Sequence, residues 1–215
     1  MDIIYLYIIL GIASYLISGI NPAIVLSHLL YHEDIREKGS KNPGFTNFKR
    51  CYGNIGWLVF FLDIFKGILI GILAVVLFGL YKDEVTSYDC VKVGVAFCGL
   101  CGVIGHAYPI WYKFNGGKGF LVSATIIFFI DYRCGIICFL TMYILLLTTK
   151  YMSLSTMIAM LLGPVLILLF NIKSIDKVYI ACILNLVQAL FMCYRHKANI
   201  VRLINHTEHK FSFKK

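Results

Sequence analysis

The chain has 215 residues, of which 60% are hydrophobic and 14% charged, and its net charge is +9. A soluble domain usually carries about 25% charged residues, so this composition excludes an ordinary water-exposed globule, and the length leaves room for little more than one domain. No basic stripe interleaved with aromatics sits on a polar domain, as nucleic-acid binding would need; an anionic membrane face or small anionic substrates suit the charge better.

Apolar segments fall near 3–26, 54–80, 91–110, 120–130, 134–149, 154–171 and 178–194. A helix crossing a hydrocarbon core of about 30 Å takes about 20 residues. Most of these segments reach or approach that length. The two short ones, 120–130 and 134–149, are separated by Asp131-Tyr132-Arg133 and make either one interrupted span or a tight pair. The start, Met1-Asp2-Ile3-Ile4, has no positive n-region, and no small-x-small cleavage site follows. The first segment is therefore expected to be retained as a span.

The first polar stretch, 31–53, contains Asp34-Ile-Arg-Glu-Lys-Gly-Ser-Lys-Asn-Pro-Gly-Phe-Thr-Asn-Phe-Lys-Arg50. Gly39, Pro43 and Gly44 impose turns that free backbone N–H groups. Ser40, Asn42, Thr46 and Asn47 add short polar groups, and Lys41, Lys49 and Arg50 add charge, a mixture suited to an anion nest. A plain polar turn between two helices, with its cations on lipid headgroups, would have the same composition. Within the next span, Asp63 and Lys66 stand three residues apart. An unpaired charge at a helix centre costs about 2.5–3.5 kcal/mol on insertion scales, so an ion pair facing the bundle beneath the site is expected, with direct substrate contact as the alternative.

Cys98-x-x-Cys101 has redox or zinc spacing, but it lies within an apolar run with no second cysteine pair or histidine nearby. Like most of the eight cysteines, these two are expected to act as small packing residues rather than as metal ligands or half-cystines.

The second polar stretch, 105–119, ends in Lys113-Phe-Asn-Gly116-Gly117-Lys118-Gly119 directly before an apolar helix. Free N–H groups in that helix's first turn, its dipole and Lys118 favour a phosphate there. This is not a Walker A loop: the earlier glycine is missing, as is the Ser/Thr after the lysine. In the third stretch, 195–215, His196, Asn199 and Arg202 recur at three-residue spacing and share one helical face; a snorkelling basic end to the last span is the alternative.

With seven spans and the N-terminus outside, the three polar stretches face the cytoplasm. Fourteen Lys and Arg residues, including Lys214 and Lys215, then lie inside, against Lys82, Lys92, Arg133, Lys173 and Lys177 outside. With six spans the asymmetry shrinks, so the positive-inside rule selects seven. The expectation is an all-α, polytopic bundle of about seven transmembrane helices, a single membrane-embedded domain over 1–215 with its C-terminus cytoplasmic.

Taken together, the loops resemble those of the bacterial acyl-phosphate:glycerol-3-phosphate acyltransferases, the PlsY family. The stretches that carry the resemblance are Asp34 to Asn47, Leu62-Asp-Ile-Phe-Lys-Gly67, Gly105-His-Ala-Tyr-Pro with Lys113 to Gly119, and Arg195-His-Lys-Ala-Asn-Ile-Val-Arg-Leu203 with Thr207-Glu208. A further short segment is Tyr151-Met-Ser153-Leu-Ser155. The resemblance implies acyl transfer from acyl phosphate to the 1-hydroxyl of glycerol 3-phosphate at the cytoplasmic face of a bacterial cell membrane. Lysophosphatidic acid and phosphate are the products, membrane lipids are the surroundings, and no cofactor, metal or nucleic acid takes part. Gly116, Gly117, Lys118, Gly119 and Ser40 would cradle the acyl phosphate. Asn42, Arg50, His106, Ser153, His196 and Asn199 would bind and orient glycerol 3-phosphate, with Asp63 and Lys66 as a supporting ion pair.

No nucleophile–base–acid set is visible. The His-x4-Asp motif of another glycerolipid acyltransferase family is absent, since Glu33, Glu37 and Trp111 stand five residues after His28, His32 and His106. Four positions depart from the family pattern: Lys41 for Gly, Phe45 for a small residue, His206 for Gly, and Gly19-Ile-Asn-Pro22 for Gly-Ser-Ile-Pro. Lys41 would add charge to the site or narrow it. A small-anion transporter and a weakly active paralogue are the alternative readings.

Overall fold

The computed structural model describes residues 2–81 and 89–213, and among these every long apolar run is helical and no strand occurs. The helices are α1 (Ile3–Gly19), α2 (Pro22–Tyr31), α3 (Phe45–Tyr52), α4 (Gly56–Gly79) and α5 (Cys90–Ala107), followed by α6 (Phe120–Ile130), α7 (Tyr132–Thr149), α8 (Met152–Phe170), α9 (Ile175–Arg195) and α10 (Lys197–Ile204). Six stretches are long and apolar enough to cross a membrane: Ile3–Tyr31, Phe45–Gly79, Cys90–Tyr112, Tyr132–Thr149, Met152–Phe170 and Ile172–Arg195. The seventh expected segment, α6, has only 11 residues.

The ambiguity at 120–149 resolves into two helices that meet at Asp131. Its carboxylate caps α7 by accepting from the Arg133 backbone N–H at 3.0 Å, and it pairs with the Arg133 guanidinium at 2.6 Å.

Burial is inverted relative to a water-soluble bundle, as a lipid solvent requires. Ile4, Ile8, Phe61, Phe65 and Ile183 are exposed, whereas Asp63, Lys66, Ser123, Asn185 and Gln188 are buried. Helix α5 is the hub, packing against α1, α4, α6 and α9. Its glycines admit the neighbours closely: Gly94 faces the Phe78 ring, Gly99 the Ile126 side chain, and Gly105 the backbone of Tyr15. Close approach through small residues is how helices associate where lipid removes the hydrophobic drive. All eight cysteines are free thiols.

The polar stretches sort to two ends. At one end Lys92 donates to Asn171 at 2.7 Å, Asn171 to Asp131 at 3.4 Å, and the Asp89 N–H to the Lys177 carbonyl at 2.8 Å. Residues from 40–50, 118–121 and 196–213 share one cavity at the other end, where the sequence analysis grouped them. Lys82, Lys214 and Lys215 lie outside the described residues.

Candidate active site

Beyond α5 the chain turns through Ile110–Tyr112 and comes back alongside the helix it has just left. The Gly116 N–H donates to the Ala107 carbonyl at 3.1 Å and the Gly117 N–H to the His106 carbonyl at 3.0 Å. A Cβ at either glycine would strike His106, and one at Gly116 would also strike Pro109. Gly119 takes a left-handed φ of +82° against Val103. The strip therefore has to be glycine, and it starts α6 about one helical turn inside the end of α5. From the other side Arg195 clamps the strip. Its guanidinium donates to the Gly116 and Gly117 carbonyls at 3.1–3.3 Å while lying 4.7 Å over the Tyr108 ring.

The nest expected at these glycines is thus only partly available, because the Gly116 and Gly117 N–H groups are spent on the backbone of α5. The N–H groups left without an intrahelical partner are those of the first turn of α6, which begins at the Gly119 cap with no side-chain capping bond.

The α6 N-terminus opens into a cavity of about 260 Å³. The cavity brings together Ser40, Asn42, Arg50, Asp63, His106, Lys118, Gly119, Ser153, His196 and Asn199 from loops up to 159 residues apart in sequence (40 to 199). Of the residues given substrate-binding or supporting roles in sequence, Gly116, Gly117 and Lys66 do not line it, and neither do Gly39, Lys41, Pro43 and Lys49 of the first loop.

The first loop is held rigid around Asn47, which accepts from the Ser40 N–H at 2.8 Å and donates to the Lys38 carbonyl at 3.0 Å. Arg36 ties this loop to the second through the Tyr112 carbonyl at 3.2 Å. Arg50 makes no hydrogen bond or ion pair among the described residues, which leaves its guanidinium free on the cavity wall.

Lys118 donates to Asn199 Oδ1. Burial pushes its amine down to about 8, with Arg202, Arg195 and Arg50 adding to the depression and Glu208 opposing it. His196 is buried, and burial, then the Lys118 charge, hold its imidazole down to about 4. The neutral ring lies 2.8 Å from the Met192 carbonyl through Nδ1. A carbonyl only accepts, so Nδ1 carries the proton and Nε2 is left as an acceptor.

Glu208 was quoted in sequence only as part of a motif, yet it is the hub of the third loop. It accepts from Ser153 Oγ at 2.8 Å, Asn199 Nδ2 at 2.6 Å and Arg202 Nε at 2.7 Å. Burial would raise its pKa, but these donors hold the carboxyl below its ordinary value. Ser153 and Asn199 are therefore positioned by Glu208, and Asn199 passes that order on to Lys118. An acid following a basic helix at Arg202-x5-Glu208 was the available signal.

Behind the cavity, Lys66 Nζ contacts Asp63 at 2.9 Å, the Ser18 and Ile20 carbonyls at 2.9 and 3.1 Å, and His106 Nδ1 at 3.0 Å. The cation thereby satisfies carbonyls at the end of α1, where positive charge is favoured. An ammonium only donates, so His106 Nδ1 accepts and its proton sits on Nε2. The two histidines therefore differ in tautomer, with Nε2 a donor in His106 and an acceptor in His196.

The departures from the family pattern have local reasons. Lys41 and His206 both adopt left-handed φ, +59° and +56°, the conformation glycine takes without penalty. Lys41 is exposed and absent from the cavity wall, so it does not narrow the site. Asn21 caps α2 by accepting from the Ile24 N–H at 3.1 Å, and it donates to the Pro43 carbonyl at 3.0 Å. Phe45 lines the cavity, its ring 4.9 Å from Trp57 and 5.1 Å from Phe60.

Composition gave no hint of a second, apolar cavity of about 430 Å³ over the face of short α6, between α4 and α7. Phe60, Phe120, Leu121, Phe139 and Met142 line both cavities, so the two adjoin along these side chains. Among the described residues no group of three or more His, Cys, Asp or Glu is placed to hold a metal ion.

A family model described as glycerol-3-phosphate acyltransferase matches residues 8–206. The chain is 36% identical to the glycerol-3-phosphate acyltransferase of Finegoldia magna over 208 residues, covering 96% of this chain and 97% of that protein. It is 38% identical to glycerol-3-phosphate acyltransferase 2 of Bacillus cereus, with 96% of each covered. Its fold is similar to the crystal structure of PlsY (YgiH), an integral membrane glycerol 3-phosphate acyltransferase. With the glycerol 3-phosphate form the TM-score is 0.81 at 31% identity, covering 96% of each chain. With the lysophosphatidic acid form the TM-score is 0.77 at 30% identity, covering 96% and 95%.

Proposed function

The chain belongs to the glycerol-3-phosphate acyltransferase family, and on that premise we propose that it moves a fatty acyl group from acyl phosphate to the 1-hydroxyl of glycerol 3-phosphate. The observation that carries the reading is a cationic, hydrogen-bonding cavity directly adjoining an apolar one, with five lining residues in common. A donor with a phosphate head and a hydrocarbon tail matches both halves. This enzymatic role accounts for the family match where a small-anion transporter does not.

Lys118 and the first turn of α6 take the donor phosphate, joined by Ser40, and the tail lies in the groove over α6. Arg50 and Asn42 take the phosphate of glycerol 3-phosphate. Ser153 and Asn199, fixed by Glu208, orient the acceptor's polyol end. Several negative charges meet in one basin, and fixed cations in a partly dry site offset their repulsion more strongly than water would.

The acceptor's 1-hydroxyl donates a hydrogen bond to His196 Nε2, which turns its lone pair toward the acyl carbon. His106 lines the same cavity as a neutral ring. The hydroxyl oxygen bonds to the acyl carbon, the bond from that carbon to the phosphate oxygen breaks, and phosphate leaves with the electron pair. The hydroxyl proton ends on the departing phosphate. Phosphate is a good leaving group, so positioning and electrostatics suffice and no covalent enzyme intermediate is required. No metal or other cofactor is invoked.

The basic loops are assigned to the cytoplasmic face of a bacterial cell membrane on the positive-inside rule. The test uses purified protein in vesicles with labelled glycerol 3-phosphate and either palmitoyl phosphate or palmitoyl-CoA. Lysophosphatidic acid should form from the phosphate and not from the thioester; the reverse preference overturns the donor assignment. A weakly active paralogue would show the same preference at a low rate.

A further inference from the structure

Past α10 the chain does not trail away. It reverses at the left-handed His206, with the Thr207 N–H donating to the Arg202 carbonyl at 2.8 Å. Glu208 then anchors it in the polar cavity. Three residues later the Phe211 N–H donates to the Lys150 carbonyl at 2.7 Å, at the end of α7. Two fixed points therefore stretch residues 208–211 across the cavity. Phe211 is 8% exposed.

Its ring lies 5.9 Å from Phe45 and 5.0 Å from Phe213, and Phe45 continues the stack to Trp57 and Phe60. Phe211 and Phe213 line the polar cavity together with Phe60 and Phe139, which also line the apolar groove. The aromatic strap thus reaches, through Phe45, to Phe60, a side chain that the polar and apolar cavities share. It lies past residue 206, the last matched by the family model.

We infer that Phe211 is a specificity-determining residue for the acyl donor, closing a narrow arch over the carbons next to the reacting carbonyl. This rests on the proposed reading of the two cavities. Every donor tail must pass under the arch, whatever its length. The ring gives up apolar surface to the first methylenes and leaves no width for a branch beside the carbonyl. The acceptor polyol binds on the Ser153–Asn199 side and does not pass there.

The test compares wild type with Phe211→Ala and Phe211→Leu in straight-chain and 2-methyl-branched donors, using whichever of acyl phosphate or acyl thioester the wild type turns over. That choice keeps the outcome separate from the donor assignment. For Phe211→Ala, KM for the straight donor should rise about tenfold, the loss expected from removing a buried aromatic contact. The kcat/KM ratio of branched to straight donor should rise at least about fivefold, and KM for glycerol 3-phosphate should stay within about twofold. Phe211→Leu should fall between, and it decides the matter if the alanine variant does not fold. An unchanged branched-to-straight ratio in the folded variants, or a parallel rise in both KM values, overturns the inference.

Discussion

Lys118 offers the sharpest test of the electrostatic account. Burial lowers its amine to about 8, so in the free enzyme it is a cation below that pH and neutral above it. At pH 9 about one molecule in eleven keeps the charge, and kcat/KM should be about tenfold below its plateau, with a further tenfold loss by pH 10. Substrate phosphates do not produce this limb, because their second ionisation is complete well below pH 8, near 6. A bound phosphate favours the charged amine, so the corresponding fall in kcat should be displaced to higher pH. Lys118→Arg supplies a cation that stays charged across the range. It should lower the plateau, since the larger group must displace Asn199, yet abolish the alkaline limb. The assay is initial-rate lysophosphatidic acid formation between pH 6.5 and 10, corrected for spontaneous donor hydrolysis. A profile flat to pH 10, or an unmoved limb in Lys118→Arg, refutes the reasoning.

Lys66→Met leaves Asp63 as a buried charge without its cation and uncaps the end of α1, which should cost about 3–5 kcal/mol. Asp63→Asn combined with Lys66→Met should recover much of that in detergent unfolding; equal losses in the single and double variants would argue against the ion pair. Glu208→Ala releases Ser153, Asn199 and Arg202 together. With hydrogen bonds to a charged group worth about 1.5–3 kcal/mol each, kcat/KM for glycerol 3-phosphate should fall at least tenfold; a near-normal value would remove Glu208 from the site. Lys41→Gly relieves a left-handed side chain on the exposed loop, a gain of about 1 kcal/mol. It should lengthen the half-life of heat inactivation with both KM values unchanged, and a shortened half-life would contradict the strain.

Lipid-facing residues made the fold legible, because the bilayer demands long apolar helices and the cationic loops mark one end of them. The exception was 120–149. Eleven residues at α6 look too short to span until the glycine strip is seen running back along α5, a packing fact that no local pattern encodes. The site was legible as residue types in three loops, and the cavity gathers Ser40, Arg50, Lys118, His196 and Asn199 from all three. Their mutual roles were not. The Gly116 and Gly117 N–H groups turn out to be committed to the α5 backbone, and Glu208 organises its neighbours through contacts across 9 and 55 residues of chain. The apolar groove and the Phe211 strap were invisible for the same reason: in a chain this hydrophobic, an aromatic lining a substrate path has the composition of one facing lipid.

The most direct measurement is product stoichiometry in purified vesicles, comparing wild type with Arg50→Ala and Lys118→Ala. Wild type should release one lysophosphatidic acid and one inorganic phosphate for each acyl phosphate consumed in the presence of glycerol 3-phosphate. Each variant should lose at least about a hundredfold of that rate, the scale of removing one preorganised charge partner, while still inserting as a folded protein. Near-wild-type turnover in both folded variants, or acyl phosphate consumption with no lysophosphatidic acid, would contradict a cavity in which fixed cations bring the two phosphates together.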